Sequence, residues 1–573
     1  MAYTVDRRRL KIGKTGVLGF SVLLLFLALF FYVPVLSVLH RAFVTPKGTF
    51  TLRYLSAIIS SPYYRRVILF TLEQAALSTF FSLLVGFPGA YLLARKNFPG
   101  KQMVKAATAV PFVLPSILAV LGFVIFFGNN GYVNRLFMYL FQLKEPPLKI
   151  LYSMKAIILA HSFYNFPIAM RILAALWEKL GTNQSHASYS LGAGPLRSFF
   201  SITLPQLMPA VLSAASIIFL FCFSSFAIIL VLGGGPEYTT IEVEIYRLAK
   251  VSFNQESAGS LAVLGIFFSF SLMYGTLHLQ SRRTHTEDLI LPPQDSSKKN
   301  TEKKGVNGLF ILYLAFILLL AAGPLVSVII KSFQYPASRA GKTYFSLRSY
   351  INLFRSPGGV FTPYTLTAIK NSLLFAFATV LLAVPAGTIL SYFSVKRWVR
   401  QTVVARFLDT LFMLPMIVSS VIIGLGYMIM SEKLPKGAGN GTLLIILAHT
   451  IIAYPFVIRS VTAVLKKIKP SLSHAAMSLG ASPRQVFTDI EMPLLKGAIM
   501  TGGAFAFALS IGELNATILL ARGTMVTIPL ALYRFIGAYN FYSACALGTI
   551  LILLTFAVFI IMDRAGTVKR RIM

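Results

Sequence analysis

Few residues in this chain have the type and spacing to do chemistry, and the most telling is an acid inside an apolar run. Glu513 stands in Ser510-Ile511-Gly512-Glu513-Leu514-Asn515. A carboxylate at mid-membrane costs about 2.5–3.5 kcal/mol on insertion scales, so it should face the protein interior or a water-filled path. There it could attract a cationic solute, with Asn515 beside it and Ser224 and Ser225 in the corresponding stretch of the first half. Ser225 matches Glu513 in an internal repeat, so such a path would be asymmetric. The plainer reading is a carboxyl neutralised by a proton or by a neighbouring amide. Glu73 also lies in an apolar run, near its outer end, where an interfacial carboxyl is expected.

Other chemistry is absent from the sequence. Gly13-Lys14-Thr15 resembles the end of a phosphate-cradling loop, but the required first glycine is Arg8. There is no His-Glu-x-x-His, and seven scattered histidines make no metal site. Cys222 and Cys545 read as small buried apolar side chains. Nothing marks the chain as an enzyme, so any nucleotide hydrolysis falls to a separate subunit.

The elements that must carry these residues are membrane helices. Of 573 residues, 56% are hydrophobic and 12% charged, and the mean hydropathy is +0.73. Too few polar residues remain to cover a water-facing surface, so lipid is part of the solvent. The net charge of +35 does not indicate nucleic-acid binding. The basic residues cluster beside apolar runs, as at Arg7-Arg8-Arg9, Arg95-Lys96, Lys396-Arg397, Lys466-Lys467 and Lys569-Arg570-Arg571. That is the pattern of positive loops facing an anionic inner leaflet, and it predicts both termini on the cytoplasmic side. The first apolar run, about 16–40, is too long for a cleaved signal core and reads as a retained helix.

Apolar windows near the length needed to span a bilayer fall at 16–40, 67–94, 103–127, 153–176, 206–232 and 258–279. A second set falls at 308–331, 367–395, 403–430, 442–465, 497–520 and 543–562. The fold class is therefore an all-α membrane protein of twelve helices in two six-helix halves. Its segments are an N-terminal tail, first helix and outer loop (1–64), a first helical domain (65–280) and a polar cytoplasmic linker (281–307). A seventh helix with its outer loop (308–364), a second domain (365–562) and a basic tail (563–573) follow. Gly86-Phe87-Pro88-Gly89-Ala90 and Val384-Pro385-Ala386-Gly387 read as close helix packing. Pro115 and Pro415, each in a Leu-Pro step of the third helix, read as the same kind of packing feature, the alternative being kinks that help a gate move.

The halves repeat each other at an offset of 288 residues. His186–Pro205 reads HASYSLGAGPLRSFFSITLP, and His474–Pro493 reads HAAMSLGASPRQVFTDIEMP. His161, Pro167 and Arg171 match His449, Pro455 and Arg459 at the same offset. A gap-free match through a loop suggests one partner met twice. Each copy should form a short helix that ends at Gly192 or Gly480 in a positive-φ turn. A second stretch then leads to Pro205 or Pro493, where one helix stops and the next begins. The alternative is a pair of ordinary loops inherited by duplication.

These loops resemble the E-A-A-x3-G-x9-I-x-L-P motif of ABC importer permeases. The first copy supplies His186, Ala187, Ser188, Gly192, Ile202, Leu204 and Pro205, and the second His474, Ala475, Ala476, Gly480, Ile490, Met492 and Pro493. His replaces the family Glu in both, Ser188 replaces an Ala and Met492 a Leu, which puts any salt bridge of that Glu in doubt. The resemblance implies the type I importer (MetI-like) fold in a bacterial plasma membrane, with each loop a coupling helix. It implies two copies of an ATP-binding subunit holding ATP and Mg, and an extracytoplasmic solute-binding protein. The fused layout resembles the ferric-iron, thiamine and polyamine branch. Phe223–Ile228, Gly233–Pro236 and Thr239–Tyr246 are most similar to thiamine permeases, which implies thiamine or its phosphates as solute, with ferric iron next. The rival architectures are an ion-coupled secondary transporter, which also has two six-helix halves, and a membrane receptor or scaffold.

Overall fold

The computed structural model describes residues 14–108, 114–180, 183–284, 308–336, 343–355, 365–397, 410–433, 441–523 and 525–567. Most of the polar linker and both basic ends fall outside the described residues. In a hydrocarbon solvent every backbone N–H and C=O needs an internal partner, so apolar runs of this length become helices. In chain order, the first half contains α1 (Ser21–Phe43), a short α2 (Arg53–Ser60), α3 (Pro62–Arg95), α4 (Ser116–Leu140) and α5 (Met154–Trp177). It continues with the short α6 (Asn183–Ser190), α7 (Pro195–Phe223), the short α8 (Ala227–Leu232) and α9 (Gln255–Gly275).

The second half contains α10 (Gly308–Ser332), a hairpin of β1 (Gln334–Pro336) and β2 (Thr343–Phe345), α11 (Arg348–Arg355) and α12 (Thr365–Val395). Then come the bent pair α13 (Thr410–Met416 with Ser420–Lys433), α14 (Gly441–Leu465), α15 (Pro470–Ser478) and α16 (Pro483–Ile511). The short α17 (Asn515–Leu520), a further short helix at Ile528–Gly537 and α18 (Phe541–Met562) follow. Among the described residues, eleven helices are long and apolar enough to span a membrane, and the bent pair makes twelve.

Four windows depart from the sequence expectation. The window 403–430 is not one kinked helix, because its two pieces meet at 95° around Leu414–Met416. Proline lacks an N–H and disfavours helical backbone in the residue before it. In the first half, the helix of α4 begins just after Pro115, which is its extended N-cap, so 103–127 is interrupted there as well. The fifth window of each half also breaks: α7 stops at Phe223 and α16 at Ile511, and a short helix follows each. Glu513 therefore stands in a break between helices, not in the middle of one. At the linker, helix continues from α9 through Thr284, beyond the expected start of the polar segment at 281.

The chain divides into two compact units that do not follow the repeat boundary. The first is residues 41–365 with 531–550, and the second is 1–40, 366–530 and 551–573. The seventh span, α10, thus lies in the first unit, while most of α1 lies in the second. Within the first unit Tyr313 of α10 donates to the Val85 carbonyl at 2.6 Å. Within the second, Tyr427 of α13 donates to the Phe30 carbonyl, also at 2.6 Å.

The centre of each unit is a tight helix pair. A Cβ added to Gly86 would lie 2.8 Å from the Phe166 carbonyl of α5, and one on Gly387 would lie 3.0 Å from the Tyr454 carbonyl of α14. Only glycine permits that approach, so the small-residue clusters at 86–90 and 384–387 are packing features. Phe123, Phe163, Phe166, Met170 and Leu173 fill the core of the first unit beside it.

Candidate functional site

Two regions carry the repeated chemistry: a pair of loops and a pair of buried polar clusters. In the first loop α6 ends in a Schellman turn. Ala193 N donates to Ser188 O and Gly192 N to Tyr189 O, each at 3.0 Å. The second is its copy, with Ala481 N to Ala476 O and Gly480 N to Met477 O at 3.0 Å. The φ angles are +84° at Gly192 and +92° at Gly480. Leu191 and Leu479, just before the two glycines, are both 89% exposed. His186, Ala187, His474 and Ala475 are exposed, Ala476 half-buried and Ser188 buried.

The stretch after each turn does not behave as expected. Proline at 205 and 493 was to stop one helix and start another. Instead a π-helical turn, Phe199–Thr203 or Val486–Glu491, leads into the following α-helix without leaving helical backbone. The wider turn accommodates the hydrogen bond that proline cannot make. Ile202, Leu204 and Ile490 are half-buried in this stretch, and Pro205, Met492 and Pro493 are exposed.

Each turn anchors its loop in the helices behind it. Phe199 packs edge-on against Phe87 at 5.9 Å between ring centres, and Phe487 packs against Tyr392 at 5.2 Å. Ser188 explains its own departure from the motif. Its hydroxyl donates to Ser198 at 2.7 Å in a buried pair. At the 288-residue offset these positions are Ala476 and Val486, so a polar pair in one copy is an apolar pair in the other. In the second copy Ser473 donates to the buried Glu491 at 2.9 Å instead.

The polar clusters centre on the two matched histidines. His161 pairs through Nδ1 with Ser78 at 3.0 Å and through Nε2 with Ser225 at 2.8 Å. His449 pairs through Nδ1 with Ser510 at 2.8 Å and through Nε2 with Thr517 at 2.9 Å. Ser510 in turn donates to Thr379 at 3.2 Å. Each imidazole thus ties the third-last span of its half to the short helix break that follows the next span.

Glu513 completes the second cluster. Its carboxylate accepts from Ala516 N and Thr517 N at 3.1 Å and from Thr517 Oγ1 at 3.2 Å, and lies 3.7 Å from His449 Nε2. It is buried, and these partners use its lone pairs to cap α17. Asn515 donates to Ser420 at 2.8 Å, and Ser224 donates back to Leu220 O at 2.7 Å. Ser224, Ser225 and Asn515 are half-exposed at the two breaks, whereas Glu513 faces inward. Sequence reasoning named His161 and His449 as a repeated pair without assigning them to this site. Their shared offset with Ser225 and Glu513 was the available signal.

A family model described as "Binding-protein-dependent transport system inner membrane component" matches residues 86–284 and 383–567. The chain is 27% identical over 512 residues to the thiamine transport system permease protein ThiP of Brucella abortus strain 2308, covering 89% of each. It is 26% identical over 513 residues to ThiP of Escherichia coli K12, covering 89% of this chain and 90% of that one. A putative 2-aminoethylphosphonate transport system permease protein, PhnU of Salmonella typhimurium LT2, is 29% identical over 261 residues, covering 46% of this chain and 91% of its own. Among solved structures, a bacterial ABC transporter that imports alginate aligns with a TM-score of 0.41 at 17% identity. That alignment covers 47% of this chain and 97% of the other.

Proposed function

From the chain's membership of the binding-protein-dependent inner membrane component family, which makes it a permease subunit of an ABC importer, we propose that it carries thiamine or its phosphates. The support for the solute is the similarity to thiamine permeases along nearly the whole chain, both halves included.

The matched Schellman turns carry the mechanistic part of the proposal. Each presents an exposed leucine on a helix end fixed by a glycine that few other residues could replace. In this reading α6 and α15 each dock one copy of an ATP-binding subunit, which holds the ATP and Mg. A solute-binding protein delivers thiamine on the opposite side of the inner membrane, and both termini lie in the cytoplasm. ATP-driven closure of the two ATPases moves the docked loops, and Phe199 and Phe487 pass that movement to the helices behind them. Coupling of this kind requires contacts that differ between two states. In the first unit the break at 224–226 offers Ser224 and Ser225 to the solute; in the second, Asn515 at the start of α17 is the residue offered, and Glu513 holds the break at 512–514 in shape.

The test is uptake of labelled thiamine into proteoliposomes holding the permease, its ATPase and its binding protein. Uptake should require hydrolysable ATP inside the ATPase compartment and survive an uncoupler. Uptake that fails without a proton gradient, or continues without ATP, refutes the coupling. ATP-driven uptake of another solute with none of thiamine refutes the substrate.

A further inference from the structure

The two longer loops that follow the first span of each half repeat each other as well, at a different offset. Phe50-Thr51-Leu52-Arg53 matches Phe345-Ser346-Leu347-Arg348 at 295 residues. The geometry repeats with the sequence. Thr51 N donates to Phe43 O at 2.8 Å and Ser346 N to Phe333 O at 2.7 Å, so each loop folds back onto the end of the span before it. Arg53 N donates to Thr51 Oγ1 and Arg348 N to Ser346 Oγ, each at 3.1 Å. The helices α2 and α11 follow, eight residues each.

Three outward-facing apolar positions match across the two copies. Phe50 and Phe345 are 73% and 76% exposed, Leu52 and Leu347 are 54% and 58%, and Ile59 and Phe354 are 50% and 48%. Their neighbours Ile58 and Leu353 are both buried. Among the described residues, three large apolar side chains are thus about half or more exposed in each copy, with Phe50 also stacked on Phe43 at the end of its span.

We infer that α2 and α11 lie in the headgroup layer of the membrane, with Phe50, Leu52 and Ile59, and Phe345, Leu347 and Phe354, dipping into its lipid. The position follows from the fold. α2 begins ten residues after α1 ends and α11 sixteen after α10 ends, and each loop is tied back to the end of its span, at the depth where hydrocarbon gives way to headgroups. The exposed apolar residues continue lipid-facing surface, such as Leu69 on α3, against which α2 packs, and Leu319, Val326 and Ile330 on α10. Exposed Arg53, Arg348 and Arg355 supply cations beside the apolar face. Aromatic and aliphatic residues on one side with arginine at the edge suit an interfacial helix.

Spin labels on the reconstituted full chain test this. Single cysteines at Phe50, Ile59, Phe345 and Phe354 go into a Cys222→Ser, Cys545→Ala background, with Arg53 and Arg348 as water-facing controls. The expected result is a ratio of oxygen to nickel-complex collision rates above one at all four positions and below one at the controls. Adding solute-binding protein should leave the ratios unchanged. Free access of the nickel complex to the four positions overturns the inference. Shielding that arises only with the binding protein overturns it too, and makes the surface a protein-docking face.

Discussion

Replacing Gly480 with valine isolates one physical term, because the space around it is open. A Cβ built on Gly480 or Gly192 meets nothing within 4 Å, so crowding contributes nothing. What remains is backbone strain at φ +92° and +84°. Left-handed backbone costs an L residue about 1–2 kcal/mol, and up to about 3 kcal/mol in sparsely populated regions. A loss of about 1–2 kcal/mol lowers the population of the turn relative to its alternatives by a factor of about 5–30. Asparagine tolerates this backbone better than other side chains. The assay is binding of the ATPase subunit to vesicles carrying each variant, with solute-stimulated ATP hydrolysis alongside. The expected order is Gly, then Asn, then Ala, then Val, with membrane insertion equal throughout. Valine performing as well as glycine refutes the docking role of the turn. Asparagine performing as badly as valine refutes the backbone explanation and makes the missing side chain itself the contact.

Glu513→Gln keeps an acceptor for the α17 amides and should leave Tm and uptake near those of the native protein. Glu513→Ala strands those amides, each at about 1–3 kcal/mol, and should lower both; if Gln abolishes uptake at unchanged Tm, the carboxylate contacts the solute. Ser188→Ala leaves Ser198 with a buried unpaired hydroxyl, costing about 1–3 kcal/mol. Adding Ser198→Val rebuilds the Ala476–Val486 pair and should restore Tm, whereas additive losses refute the pairing. Tyr313→Phe and Tyr427→Phe each remove one hydrogen bond, worth about 0.5–1.5 kcal/mol, and thermal melts should fall by similar amounts; a drop in only one breaks their equivalence.

What the sequence made legible is what depends on local pattern. The twelve apolar runs are visible because lipid requires long unbroken hydrophobicity. The glycine turns are visible because a positive φ needs glycine at a fixed place after a helical run. The rest depends on longer-range facts. The grouping of α1 with the second unit rests on contacts such as Tyr427 with Phe30, nearly 400 residues apart. The repeat of the outer loops hid behind a change of register, since unequal loop lengths moved its offset from 288 to 295. The second helices shift further: Gly86 and Gly387 are equivalent in packing at an offset of 301, which sets Ser78 against Thr379. Read at 288 alone, the partners of the two histidines do not align. The interruption of the third and fifth spans was missed because hydropathy continues through a break that only backbone geometry reveals.

The division of the chain into units has a consequence for its biosynthesis. Residues 1–40 belong with 366–530, and α10 belongs with the half before it. The opening helix therefore leaves the ribosome well before the segments it will settle against exist. At about 5–20 residues per second the wait to reach α13 is roughly 20–80 s. During that time the helix must rest in lipid or be held by the insertion machinery. A ribosome halted at the linker would release a product whose first helix has no permanent seat and whose α10 position is vacant. Expressing the halves separately should therefore succeed only when both are made together.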